Sequence, residues 1–317
     1  MATRVITQET RRIQVVLDHA KESAAISTAE RTTGWMEEEH LPLKRCIEEL
    51  DQLVGLEAIK SFIHEVYAWL TVGRRRVAAG LASENQVLHM VFAGNPGTGK
   101  TTVARIMGRL FHEMGVLSQG HLVEVERADL VGEYIGHTAQ KTREHVKRAL
   151  GGILFIDEAY ALSRGGEKDF GKEAIDTLVK SMEDHKNEFV LILAGYPREM
   201  EGFIRSNPGL PSRFPIQLSF PDFSVGELMK IADRMVKERQ YRFSGPARDK
   251  LRKHLDQVCR IPGESFGNAR HVRNVVEQAI RLQAVRLLKS RYVSREDLMT
   301  LQSDDLVFQD WRQGAFL

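Results

Sequence analysis

The stretch Gly94-Asn95-Pro96-Gly97-Thr98-Gly99-Lys100-Thr101 decides the reading of this chain. Its pattern is G-x-x-x-x-G-K-T, and each fixed position has a physical task. The glycines let backbone N–H groups close around phosphate oxygens. Lys100 brings a point charge to the β and γ phosphates, and the Thr101 hydroxyl can ligate Mg²⁺. The flanks agree with this reading. Residues 88–93 form a short apolar run, as expected of a buried parallel strand. Residues 102–114 carry a helical pattern, so the positive end of that helix faces the phosphates.

Working outward, strand-like runs recur at 122–125, 152–156 and 189–194, separated by helical patterns at 138–150 and 172–185. Alternation of this kind predicts an α/β fold: a parallel sheet with helices on both faces. Upstream, a turn leads into an amphipathic helix with Ile59, Phe62, Ile63, Val66 and Leu70 at helical spacing. After Pro221-Asp222 the strand signal stops. Ser224-x-x-Glu227 reads as a capping box, and Ser294-x-x-Asp297 opens a later helix. The expected organisation is a weakly ordered or helical extension (1–45), an α/β nucleotide-binding domain (46–222), a small all-helical domain (223–305) and a tail (306–317).

The 317 residues are 42% hydrophobic and 28% charged, ordinary values for a globular protein. A formal net charge of +2 gives no bulk electrostatic case for nucleic acid or a membrane surface. The apolar runs are far short of the ~20 residues of a membrane span, and the N-terminus has no apolar signal-like region. The expected location is therefore cytoplasmic. Cys46 and Cys259, the two cysteines, show no metal-ligand spacing and read as buried or inert thiols. The basic run Arg74-Arg75-Arg76 fits a helix C-terminus, where cations complement the dipole.

The apolar run 153–156 ends in Asp157-Glu158. The two acids emerge at the carboxyl edge of the sheet, where ligands of such sheets bind. Asp157 is positioned to hold the metal, and Glu158 to orient or deprotonate an attacking water.

Together these motifs resemble the AAA+ ATPases, over roughly residues 47–305. The resemblance implies ATP and Mg²⁺ as cofactors. It assigns residues 53–60, with Val54 and Gly55, to the adenine. The loop Gly94 to Thr101, with Thr102, falls to the phosphates, and Thr101 and Asp157 to the metal. Ser212-Arg213-Phe214 resembles the arginine-finger segment, with Arg205 as competitor. Gly267-Asn268-Ala269-Arg270 resembles sensor 2, with Arg273 one turn on as the alternative. Tyr134-Ile135-Gly136 matches a pore loop that grips polypeptide, an amphipathic ring being suited to that task. The loop 163–169 is either a second pore-facing loop or a surface connection. Where AAA+ proteins at large place a polar sensor 1, this chain has Tyr196.

Within the family, Gly132-Glu133-Tyr134-Ile135-Gly136-His137-Thr138 and Leu193-Ala194-Gly195-Tyr196 are similar to a subgroup of red-type Rubisco activases and sporulation proteins. Segments 65–69 and 165–179 are most like its sporulation branch. The resemblance implies an ATP-driven remodeller forming a ring, a hexamer, around an unidentified protein partner. Alternatives are a Rubisco activase, a nucleic-acid loader or a nucleotide-gated scaffold of low turnover.

Overall fold

The computed structural model describes residues 41–82, 87–134, 136–164, 170–260 and 267–308. They fall into two compact units. The first comprises the described residues up to Leu50, with Ser61–Ala93 and Thr101–Ser219. The second comprises Asp51–Lys60, Gly94–Lys100 and the chain from Phe220.

The first unit is built on a five-stranded sheet of order β2-β3-β4-β1-β5. The strands are β1 (Met90–Gly94), β2 (Leu122–Val125), β3 (Ile153–Ile156), β4 (Val190–Gly195) and β5 (Ile216–Phe220). β2 pairs with β3, β3 with β4 and β4 with β1, all in parallel. Every residue of β3 and β4 is buried, as their unbroken apolar sequences require of central strands covered on both faces. Leu193 lies opposite both Val91 of β1 and Ile156 of β3. The carboxyl ends of β1 and β3 thus come out on one edge of the sheet, one strand apart. β5, Ile-Gln-Leu-Ser-Phe, is an outer strand with Leu218 and Phe220 buried.

Helices α3 (Lys100–Glu113), α4 (Arg127–Leu130, one turn), α5 (His137–Ala149), α6 (Gly171–Asp184) and α7 (Pro197–Ser206) follow the strands. α1 (Leu41–Asp51) and α2 (Glu57–Ala78) precede them; α1 runs across residue 45. On α2 the expected face is sunk at Ile59, Ile63 and Val66. Its basic end is capped by the Arg76 guanidinium, which donates to Ala82 O at 3.3 and 3.2 Å. Phe155 and Phe92, facing edge to ring at 6.5 Å, fill the sheet's centre.

The second unit is helical, with α8 (Val225–Glu238), α9 (Gly245–Cys259), α10 (Asn268–Leu288) and α11 (Arg295–Met299) around Leu228, Leu251, Leu255, Val272 and Val276. Both expected capping boxes form. Ser224 N–H donates to Glu227 Oε2 at 2.7 Å, and Ser294 N–H to Asp297 Oδ2 at 3.0 Å, each hydroxyl accepting in return. One pairing was not expected in this helical region: β6 (Arg242–Phe243) lies parallel to β7 (Thr300–Leu301). Two-residue strands are too short to leave a sequence period. The Gln283 amide and the bidentate Arg286–Asp305 pair, both bonds 2.8 Å, fasten this corner. Cys46 is buried, and burial pushes its thiol above the ordinary value; Cys259, on the last turn of α9, is exposed.

His89, just before β1, is 6% exposed and sits against the rings of Phe189 and Phe214. Its Nδ1 accepts the Leu191 N–H at 2.9 Å, so the neutral ring is part of the core. Burial lowers its pKa to about 4. The unfolded chain then binds more protons between that value and the ordinary ~6.5, so His89's contribution is complete above pH 6.5 and is lost as pH falls toward 4. His89→Gln is expected to be less stable than wild type at pH 7, with the gap in unfolding free energy narrowing by about 2 kcal/mol at pH 5. Urea unfolding of both proteins at the two pH values measures this; a gap independent of pH contradicts it.

Candidate active site

In the second unit the phosphate loop is closed on itself. Lys100 Nζ donates to Gly94 O at 2.7 Å and to Asn95 O at 2.9 Å, and Thr98 Oγ1 donates to Asn95 O at 2.8 Å. The ammonium thus caps the loop's own carbonyls, close to where phosphate oxygens would lie. Gly97 has φ +72°, and a Cβ there would stand 2.3 Å from Gly267 O. Only glycine fits, and the reason is contact with the entrance of α10.

Asn268 makes that contact rigid. It is fully buried and has φ +45°, a left-handed backbone that Asn tolerates better than most residues. Its amide donates to Asp222 Oδ1 at 2.7 Å and to Pro96 O at 3.3 Å, and its carbonyl accepts the Phe223 N–H at 3.0 Å. Asn95 Nδ2 completes the set by donating to both Asp222 oxygens at 3.0 and 2.9 Å. The Ala269 N–H donates to Gly97 O at 3.2 Å. The loop, the Pro221-Asp222 turn and the start of α10 therefore hold one another in place. Arg270, on the first turn of α10, is exposed, as is Arg273.

The segment expected to meet adenine lies in the same unit. Gly55 has φ +66°, and a Cβ there would come within 2.3 Å of Glu227 Oε1, at the capping box of α8. Val54 is half-buried, and Leu56 Cδ1 reaches the position a Gly99 Cβ would occupy, at 3.5 Å. Val54 to Leu56, the phosphate loop and the starts of α8 and α10 thus gather in one cradle. Backbone donors, one ammonium and the absence of Cβ atoms suit it to a nucleotide.

In the first unit, Asp157 and Glu158 stand at the end of β3. The Asp157 N–H donates to Val125 O at 3.0 Å, continuing the ladder, and Asp157 Oδ1 accepts the Glu158 N–H at 3.0 Å. Glu158 is exposed and held at φ 47°, ψ 42°. A non-glycine residue there costs about 1 kcal/mol or more. The next 3-10 turn, Ala159–Ser163, carries Tyr160, 5% exposed. Burial, then the Glu158 carboxylate with which it shares a hydrogen bond, pushes the Tyr160 hydroxyl up to about 12. Tyr196 lies against it at 6.0 Å between ring centroids, and the Arg164 guanidinium covers it at 4.6 Å. An aromatic pair, Tyr160 and Tyr196, thus adjoins Glu158. Thr101 and Thr102 occupy the first turn of α3, Thr101 half-buried and Thr102 exposed. Mg²⁺ commonly takes one or two protein ligands and fills its octahedron with water and phosphate, so Thr101 with Asp157 is a chemically sufficient donor set.

Arg213 is anchored on both sides. Its backbone N–H donates to Leu210 O at 3.0 Å, and Phe214 next to it is buried. Its guanidinium donates to Gly209 O at 2.8 Å and to Glu183 Oε1. Arg205 differs: it is paired along its own helix with Glu201 at 2.6 Å, and its side chain is 78% exposed.

Tyr134 is 65% exposed, with the His137 ring at 5.4 Å in an edge-to-face arrangement. The base of its loop is fixed: Thr138 and Thr142 are fully buried, and Thr138 Oγ1 accepts the Gly132 N–H at 2.9 Å. Gly136 is the N-cap of α5. Ile135 and loop residues 165–169 lie outside the described residues. Asn268, Asp222 and Tyr160 were not picked out from sequence as working residues. Asn95 and Asp222 stand 127 positions apart, and a pairing at that distance leaves no local pattern.

Comparison with known proteins now adds the family. Residues 90–222 match the ATPase family associated with various cellular activities (AAA), and residues 224–315 match the AAA lid domain. Stage V sporulation protein K of Bacillus subtilis (strain 168) is 58% identical over 280 residues, covering 88% of this chain and 87% of that protein. Protein CbbX of Cereibacter sphaeroides is 47% identical over 267 residues (83% and 86%). The chloroplastic ribulose bisphosphate carboxylase/oxygenase activase of Cyanidioschyzon merolae is 41% identical over 288 residues (89% and 98%). A mutant of RuvB from Thermotoga maritima shares the fold, with a TM-score of 0.52 at 20% identity, covering 81% of this chain and 69% of that one. No helix among the described residues is long and apolar enough to cross a membrane. The five-stranded parallel sheet, the phosphate loop and the helical lid are those of an AAA+ ATPase, the family to which this chain belongs.

Proposed function

We propose that this chain hydrolyses ATP to ADP and phosphate in order to remodel a protein partner, working in the cytoplasm as a ring, a hexamer, during bacterial sporulation. The observation that carries the reading is Tyr134: a large aromatic side chain offered to solvent from a loop whose base is buried and hydrogen-bonded. An exposed aromatic on a fixed base suits gripping a chain with little sequence preference. The sporulation role rests on the 58% identity to stage V sporulation protein K. Rubisco activation is the second reading, supported by the relatives at 47% and 41% identity. A nucleic-acid loader is disfavoured by the near-zero net charge.

In this reading Gly94 to Thr102 hold the phosphates, with Lys100 neutralising the β and γ oxygens, and Val54 with Gly55 contacts adenine. Thr101 and Asp157 hold Mg²⁺, which supplies charge neutralisation at the phosphates. Glu158 orients the attacking water and takes its proton. Tyr196 and Tyr160 replace a polar sensor 1, setting the direction of the Glu158 carboxylate. Arg270 reports the nucleotide to the lid. Arg213, rather than Arg205, is the finger given to the neighbouring subunit, since its guanidinium is already oriented. The working domains are 46–222 and 223–305, and the tail that follows keeps Leu306 buried and Phe308 stacked on His254 at 3.7 Å.

Two substitutions separate the parts. Arg213→Ala is expected to bind ATP normally while turnover falls about 10³-fold, the scale of a missing arginine finger; unchanged turnover removes Arg213 from that role. Tyr134→Ala is expected to bind ATP as wild type does but to lose the rise in turnover that casein, a loosely folded polypeptide, provokes in wild type. Equal stimulation of the variant refutes polypeptide gripping by this loop.

A further inference from the structure

Glu183, on the last turn of α6, lies outside the motifs read from the sequence, yet its carboxylate is bonded to the Arg213 guanidinium. The second tie on Arg213 is Gly209 O at 2.8 Å. Arg213 thus has one Nη on a carboxylate and the other on a main-chain carbonyl. A guanidinium offers five N–H donors, so two bonds fix its plane and leave three for another ligand. The side chain of Arg213 is 30% exposed and that of Glu183 61% exposed. A pair so wet contributes little to stability. Its effect is on orientation, because an untethered arginine must give up its rotamer freedom when it meets a phosphate.

The surroundings leave room for such a meeting. Glu183, Ser212 and Arg213 line an open cavity of about 720 Å³, together with Arg74 and Lys186. Three cations therefore face this space, and the one that Glu183 binds is the one whose backbone is locked, by Leu210 O and the buried Phe214. A flexible lysine at the same place would gain nothing from such a clamp; a planar fork does.

We propose that Glu183 is a positioning residue for Arg213: it holds the guanidinium ready, so that the neighbouring subunit's nucleotide meets an already oriented charge. The inference rests on the reading of Arg213 as a finger acting in trans. Preorganised charge accelerates a reaction because it needs no rearrangement when the transition state forms.

The test uses the full chain with ATP and Mg²⁺. Glu183→Ala is expected to lower kcat about ten- to hundredfold, the scale of a misplaced group, with the KM for ATP and the melting temperature unchanged. Glu183→Gln keeps an acceptor oxygen and is expected to restore most of kcat. Mixing Glu183→Ala with Glu158→Gln should give turnover above the sum of the two alone. In such a ring a competent nucleotide site meets a correctly held Arg213 from its neighbour. Arg213→Ala mixed with Glu158→Gln serves as the control. Failure of the control to complement overturns the trans reading itself. Complementation in the control, together with wild-type or faster turnover by Glu183→Ala, overturns the role of Glu183 alone. A Gln variant as slow as the Ala variant overturns it too.

Discussion

The phosphate loop depends on one buried amide. Asn268 bonds Asp222, Pro96 O and the Phe223 N–H from a fully buried, left-handed position. An amide with both ends satisfied in a dry place tolerates no sliding, because any shift strands a polar group at a cost of about 1–3 kcal/mol. The loop and the first turn of α10, which carries Arg270, are thereby one piece. Asp222, just before the lid, shares the same bonds. Asn95 ties in from the loop side, so a position that any residue can fill in the phosphate-loop pattern is specified here by its partner.

A second constraint operates at the carboxyl edge of the sheet. The register that sets Leu193 between Val91 and Ile156 brings β1 and β3 out together. Glu158 leaves that edge with a strained backbone and an aromatic neighbour. Tyr196, just after β4, lies against the Tyr160 ring at 6.0 Å between centroids. Burial, then the Glu158 carboxylate, pushes the Tyr160 hydroxyl up to about 12, so this phenol keeps its proton at neutral pH.

Much of this was legible in the residues themselves. The loop 94–101 and the pair Asp157-Glu158 stand out because their chemistry is local: a few residues in fixed order do the work. The strands β1 to β4 were found because central strands are continuous apolar runs, and the helices because capping boxes such as Ser224–Glu227 mark their starts. β5 was overlooked, since Ile-Gln-Leu-Ser-Phe alternates for only five residues right after a proline. The β6–β7 pair is shorter still. Asn268 and Glu183 were invisible for another reason. Their importance lies in partners 30 to 172 positions away, and sequence order carries no trace of such bonds. Of the two thiols read as buried or inert, Cys46 is buried and Cys259 is exposed on the last turn of its helix.

The central claim is that ATP closes a ring whose subunits complete one another's sites. It is tested most directly by measuring particle mass together with ATP turnover for wild type and Glu158→Gln, with ATP and Mg²⁺ present. The account predicts that wild type hydrolyses ATP, while Glu158→Gln binds it without turnover and accumulates as a closed ring of uniform mass. If both proteins stay monomeric and neither hydrolyses ATP, the ring motor is contradicted.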